Sequence, residues 1–262
     1  MIGLGVNTMI WSGSFTPREY PLLPRLREWG FTVAEIPVFD FEAFDAASVR
    51  RQVESAGLTL TVTTALPPGQ HIASEEGAVR RRTREWLRVA LEKVTEAGGK
   101  LLAGPMYSPV GYLPGRRRTD AEWQRAVDEL RQLEWSAGGA SLAIEPLNRF
   151  ETYFLNTAAD GRELCDEIGN PRIGVLFDTF HANIEEKSMA GAIAEIGPRL
   201  MHVHLCENDR GVPGSGHIPF REVIGALRQQ GYGGLAVVES FASTIQEVRF
   251  RGACVTPGSP PC

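Results

Sequence analysis

Short runs of apolar and β-branched residues recur along the whole chain, and between them apolar positions fall at helical spacing. The strand-like runs are LGVNTM (4–9), TVAEIPV (32–38), LTLTVTT (58–64), KLLAGP (100–105), SLAIEP (141–146), RIGVLFD (172–178), LMHVHL (200–205) and GLAVVES (234–240). Helical segments such as DAASVRRQVESAG (45–57), EGAVRRRTREWLRVALEKVTEAGG (76–99) and TDAEWQRAVDELRQLEWSAGG (119–139) separate them, each ending at glycine as a helix closed by a left-handed residue would. No linker interrupts the alternation, which is the pattern of repeated βα units around a parallel sheet. Eight strands in 262 residues favour one closed (β/α)8 TIM barrel over a doubly wound sheet. Such a barrel carries its chemistry in the loops beyond the carboxyl ends of its strands.

Side chains alternate along a strand, so the phase of each run says which residues enter the barrel. Strand five ends in Glu145, strand six in Asp178, strand seven in His204 and strand eight in Glu239. Ser141 and Ala143 share the inward phase with Glu145, Gly174 and Leu176 with Asp178, and Leu235 and Val237 with Glu239. In strand seven His202 lies in phase with His204, while Met201, Val203 and Leu205 take the opposite face. Each polar residue alone reads equally well as a strand end hydrogen-bonded to a loop. Together, three carboxylates in one mouth repel, and at least one would take up a proton unless a cation sat among them. A divalent metal ion answers that repulsion. Mixed carboxylate and imidazole ligation suits manganese, cobalt or magnesium better than a thiolate-seeking ion, since no cysteine stands at a strand end, and zinc stays among the candidates.

Composition narrows the partners. With 43% hydrophobic and 23% charged residues the chain reads as globular, and a net charge of −5 gives no general footprint for a phosphate backbone, so nucleic acid is not an expected partner. MIGLGVNTMIW has no basic start and no apolar run approaches bilayer length, so the expectation is a cytoplasmic protein without a membrane partner. The four cysteines, Cys165, Cys206, Cys254 and Cys262, show no CxxC spacing and suggest a reducing compartment. Arg80 to Arg82 and Arg116 to Arg118 are candidates for a phosphate clamp, although solvated helix faces and helix starts account for such runs more often.

The strand-end residues sit in EPLNRFE (145–151), FDTFHANIEE (177–186), HVHLCENDRGVPGSGHIPF (202–220) and VVESF (237–241). In that order and spacing, the chain over roughly residues 1–247 closely resembles the ketose 3-epimerases, the D-tagatose, D-psicose and L-ribulose 3-epimerase group of the sugar isomerase and epimerase barrels. The resemblance implies that Glu145, Asp178, His204 and Glu239 bind one divalent ion, manganese first, with cobalt or magnesium next. It implies that Glu145 and Glu239 are also the acid/base pair, and that Glu151, His181 and Arg210 hold the oxygens of a free ketose. A homo-oligomer, dimer or tetramer, is expected.

The chemistry asks for such a set. Inversion next to a ketone removes the weakly acidic C3 proton and returns one to the other face, which two carboxylates on opposite sides can do while a chelating metal stabilises the enediolate between the steps. His181 and Arg210 would supply donors where negative charge develops. Trp11 and Tyr107, with Met106 and Tyr112, are candidates for the wall that shapes substrate choice, and ordinary loop packing explains them equally well. His202 reads as a structural residue one layer below.

Two alternatives stand beside this reading. Aldose–ketose isomerases such as hydroxypyruvate isomerase use a similar barrel, and the RxxPGxG element from Arg210 to Gly216 tilts the choice toward 3-epimerisation. A sugar-binding protein with impaired catalysis is the other, because VRFRGACVTPGSPPC (248–262) has no helical periodicity and three prolines. The expected division is therefore a barrel over 1–247 and an atypical tail over 248–262, with the last helix truncated.

Overall fold

A computed structural model describes residues 2–241. The domain division at 247/248, the tail and the closing helix expected after strand eight lie outside the described residues. Eight parallel strands pair in sequence order, and the last returns to the first to close the barrel. They are β1 (Gly3–Asn7), β2 (Val33–Pro37), β3 (Thr59–Thr63), β4 (Leu101–Gly104), β5 (Ser141–Ile144), β6 (Ile173–Asp178), β7 (Leu200–Leu205) and β8 (Leu235–Val238). All eight expected strands are present, most trimmed by a residue or two at the ends. Closure draws β1 tightly between its neighbours: a Cβ at Gly5 would stand 2.8 Å from Val33 Cβ and 2.9 Å from Val237 Cγ2. The position below Asn7 therefore has to be bare.

The helices are α1 (Leu22–Glu28), α2 (Ala46–Ser55), α3 (Gly77–Glu96), α4 (Asp120–Arg131), α5 (Ala158–Ile168), α6 (Thr179–Glu185), α7 (Met189–Ile196) and α8 (Phe220–Gln229). Local chemistry sets their starts, since Thr119 forms a capping box with Glu122 and Thr157 forms one with Asp160, each satisfying otherwise unpaired backbone donors. Gly57 and Gly98 close α2 and α3 at φ of +67° and +77°. The glycine signal failed for the next helix, because α4 ends at Arg131, well before Gly138. Residues of the outward strand phase, among them Val62, Leu142, Val175 and Val203, join helix residues such as Val49, Leu87, Val127 and Ile193 in the main core. A second apolar cluster of Leu101, Ala103, Ala143 and Leu176 fills the barrel interior over β4 to β6.

Strand seven departs from simple alternation. Its register with β6 passes from Val175–Leu200 directly to Leu176–His202, so Met201 is the extra residue of a β-bulge. Met201 packs on the interior cluster instead of sharing the outward face with Val203 and Leu205. Glycine at position 174 makes room for it, as a Cβ there would lie 2.8 Å from Met201 Cβ. Beyond the bulge His202 and His204 face inward, as the alternation predicted.

Candidate active site at the carboxyl ends of the strands

Above the apolar floor the interior turns polar. Asn7, Glu35, Thr61, His202 and His204 are fully buried, and Glu145, Asp178 and Glu239 are nearly so. Each of the four residues expected to ligate metal sits at or just beyond the end of β5, β6, β7 or β8. His204 Nδ1 is 3.4 Å from Glu239 Oε1 and 3.8 Å from Asp178 Oδ2. Donor atoms of Glu145, Asp178 and His204 all lie within 4.8 Å of one another. Asp178 divides its two oxygens: Oδ1 caps α6, accepting from the backbone N–H of Phe180 and His181 at 2.5 and 3.3 Å, which leaves Oδ2 toward His204.

Crowding shows in the acidities. Burial pushes the Glu145 carboxyl well above its usual range, the charges of Asp178 and Glu239 adding to the effect against the pull of His204. Burial also raises Asp178, to about 6, although Arg210 and His204 hold it back. Burial would by itself lower His204, but the Glu239 and Glu35 carboxylates overcome it and raise the ring well above its ordinary value. For Glu239, burial is outweighed by His204 and Arg210, which keep the group ionised. Both ring nitrogens of His204 are buried without a well-directed hydrogen bond, Nε2 standing 2.8 Å from Glu35 Oε1. An oxygen-rich set around an imidazole whose Nδ1 faces the carboxylates unpaired fits a hard or borderline divalent cation. Cys206, just past β7, also stands close to Asp178 and Glu239, but burial pushes its thiol up, so no thiolate is offered.

Arg210 comes from the loop after β7, in the left-handed region at φ +62°. Its Nη1 lies 3.2 Å from Asp178 Oδ2 and 2.9 Å from Glu239 Oε2, and its guanidinium stacks 3.9 Å from Phe180 and 4.8 Å from Phe241. Glu207 fastens that loop from below: Oε1 accepts from the backbone N–H of Asn208 and Ile218, and Oε2 from Gly214 at 2.8 Å. His181 follows Asp178 on α6, and its Nδ1 accepts from the Asn148 backbone N–H at 3.0 Å. That bond leaves the ring proton on Nε2, which lies 3.7 Å from Glu145 Oε1 and 3.0 Å from Arg210 Nη2. The Asn148 side chain also donates to Glu151 Oε1 at 2.8 Å, so Glu151 and His181 are held by one residue.

The remaining candidates are placed differently. Tyr107 is wholly buried, and its hydroxyl donates to the backbone carbonyls of Glu145 and Leu155 at 3.0 and 3.3 Å; it buttresses a strand end rather than lining the opening. Met106 is buried as well. Trp11 is 43% exposed and packs against Trp29 with ring centroids 5.8 Å apart, while Tyr112 is exposed and meets His71 and Tyr153 edge-on. The arginine clusters are largely committed within the fold. Arg80 and Arg84 hold Glu129, Arg116 holds Glu122, Arg118 holds Asp160, and Arg82 donates to the Gly69 carbonyl.

The sequence profile of the xylose isomerase-like TIM barrel family matches residues 23–254. The chain belongs to that family. Within it the chain falls in the ketose 3-epimerase branch and is an enzyme of the isomerase class. It is 37% identical to the D-psicose 3-epimerase of Enterocloster bolteae over 90% of this chain and 81% of that one. It is 32% identical to the L-ribulose 3-epimerase of Mesorhizobium japonicum, over 94% and 83%. The crystal structure of D-allulose 3-epimerase from Methylomonas sp. in complex with D-allulose superimposes with a TM-score of 0.89 at 28% identity, covering 95% and 87% of the two chains. No helix of this family member, among the described residues, is long and apolar enough to cross a membrane.

Strand-end reasoning missed Asn7, Glu35 and Asn148. Asn7 and Glu35 were visible as polar residues at inward positions of LGVN and VAEIP. Asn148 lay inside the EPLNRFE motif. Nothing in the sequence marked Glu207 as the anchor of its loop.

Proposed function

We propose that this epimerase acts on a free ketose at C3, with one divalent ion held by Glu145, Asp178, His204 and Glu239, and with Glu145 and Glu239 exchanging the proton on opposite faces of the sugar. The observation that carries the reading is the order of groups around the mouth. Two carboxylates flank the site from β5 and β8, and Asp178 and His204 stand between them on β6 and β7. A bound divalent ion would supply Lewis-acid stabilisation of charge on the sugar oxygens. Glu239, kept ionised by His204 and Arg210, suits the base that takes the C3 proton. Glu145, at the end of β5 on the other side of the mouth from Glu239, is placed to return one to the opposite face. The Nε2–H of His181, fixed by Asn148, and the Arg210 guanidinium face the same space and would steady the oxygen on which charge builds. The internal pairing of the arginine clusters favours an unphosphorylated sugar.

Turnover of D-psicose or D-fructose by the Mn2+-loaded protein in deuterated water is expected to place solvent deuterium at C3 of the product. Deuterium confined to C1 or C2 would instead assign an aldose–ketose isomerase, and a lack of turnover on every free ketose with turnover on a phosphate ester would reject the free-sugar reading.

A further inference from the structure

The barrel interior holds one carboxylate that the proposed reaction does not use. Glu35, in the middle of β2, is fully buried, and four neighbours converge on it. Oε1 accepts from Asn7 Nδ2 at 3.1 Å and stands 2.8 Å from His204 Nε2. Oε2 accepts from Thr61 Oγ1 at 3.0 Å and lies 2.8 Å from His202 Nε2. A second metal ion bracketed by Glu35, His202 and His204 is the obvious rival reading of this cluster. It is not needed, because each carboxylate oxygen already meets two donor-bearing groups.

The orientation of His204 points elsewhere. One ring nitrogen faces Glu35, and the other, Nδ1, faces Asp178 and Glu239. A metal-binding histidine is commonly fixed by a carboxylate on its second nitrogen, which sets the tautomer and the ring plane. We propose that Glu35 is a positioning residue for the metal site: it keeps the His204 ring proton on Nε2 and so presents a bare Nδ1 to the ion. The same carboxylate reaches a second member of the set through Asn7, whose Nδ2 spans Glu35 Oε1 and Glu239 Oε1 at 3.1 and 3.3 Å. Glu239 Oε2 is thereby left to Arg210. His202 occupies the remaining side of Glu35, which keeps the carboxylate from turning toward solvent or toward the other acids. One buried charge on β2 thus aligns groups on β7 and β8.

This inference rests on the metal reading under Proposed function, and the test separates the two. Glu35→Gln keeps the volume but sets an amide N–H2 against one of the donors. Calorimetric titration with Mn2+ alone is expected to show a dissociation constant about 10- to 100-fold weaker than that of the unaltered protein. Most of the turnover should return at saturating Mn2+, a split that general loosening of the fold would not produce. Long-range 1H–15N NMR of the unaltered, Mg2+-loaded protein should show the His204 proton on Nε2, and that measurement decides the matter even if the variant does not fold. Unchanged Mn2+ affinity in a folded Glu35→Gln, or a proton on Nδ1, overturns the role of Glu35 alone. No Mn2+ uptake by the unaltered protein overturns the metal reading and this inference together.

Discussion

Arg210 shows how much a single side chain is asked to do. Its guanidinium meets Asp178 and Glu239 at once and lies between two aromatic faces, a geometry that depends on a planar, forked cation. Lysine carries the same charge as a point and can neither stack in that way nor present a flat fork to the two carboxylates. Arg210→Lys is therefore expected to lower kcat/KM by about 10²- to 10³-fold while the melting temperature moves little, as steady-state kinetics beside thermal unfolding would show. Arg210 and His181 were singled out through the motifs that carry the family resemblance, FDTFHANIEE and the loop after β7, and the fold brings both beside the strand-end carboxylates. Tyr107 was not: a tyrosine in a loop reads the same whether its hydroxyl faces the opening or a buried carbonyl, and only packing against Phe154 and the Glu145 backbone decides it.

The loop that follows β7 is the element most exposed to a small change. Glu207 gathers its backbone donors, and Gly216 passes so close that an added Cβ would stand 2.1 Å from Asn208 Oδ1 and 2.6 Å from Glu207 Oε1. Gly216→Ala should push the loop off its anchor and shift Arg210 with it, costing on the order of 100-fold in kcat/KM, the scale of loss that an ångström of misplacement brings. The check is that Mn2+ affinity stays within a few-fold of the parent, since none of the four proposed ligands lies on that loop. Strands five, six and eight were readable because period-two alternation runs unbroken through each. The Met201 bulge was not, since it depends on Gly174 and the floor of the barrel, residues distant from it in sequence.

For the whole molecule, the concentration of acids at one end makes stability depend on pH in a definite direction. Asp178 is raised from 3.8 to about 6, and Glu145 and His204 are raised as well. The native chain therefore binds protons more strongly than the unfolded one, and that contribution is complete at low pH and lost as pH rises through the folded values. Glu35 and Glu239 are shifted the other way, so their contribution is lost as pH falls below the ordinary carboxylate range. The metal-free protein should thus lose stability between about pH 5 and pH 7. Bound cation must displace those protons, so the rise in Tm on adding Mn2+ should be small at pH 5 and grow through pH 6. A Tm increment that does not vary with pH would show that protons and metal do not compete for this site. The barrel as a whole was legible from the repeat of strand and helix, because that pattern is spread over the entire chain. The Met201 bulge adds a consequence of another kind. It resets the inward phase of β7, so that the strand below it belongs to the hydrophobic filling and the strand above it to the chemistry. A different side chain at 201 can therefore alter the bulk of the floor without rotating the histidines above, so long as position 174 stays bare, since a Cβ there would stand 2.7 Å from the Arg199 carbonyl oxygen.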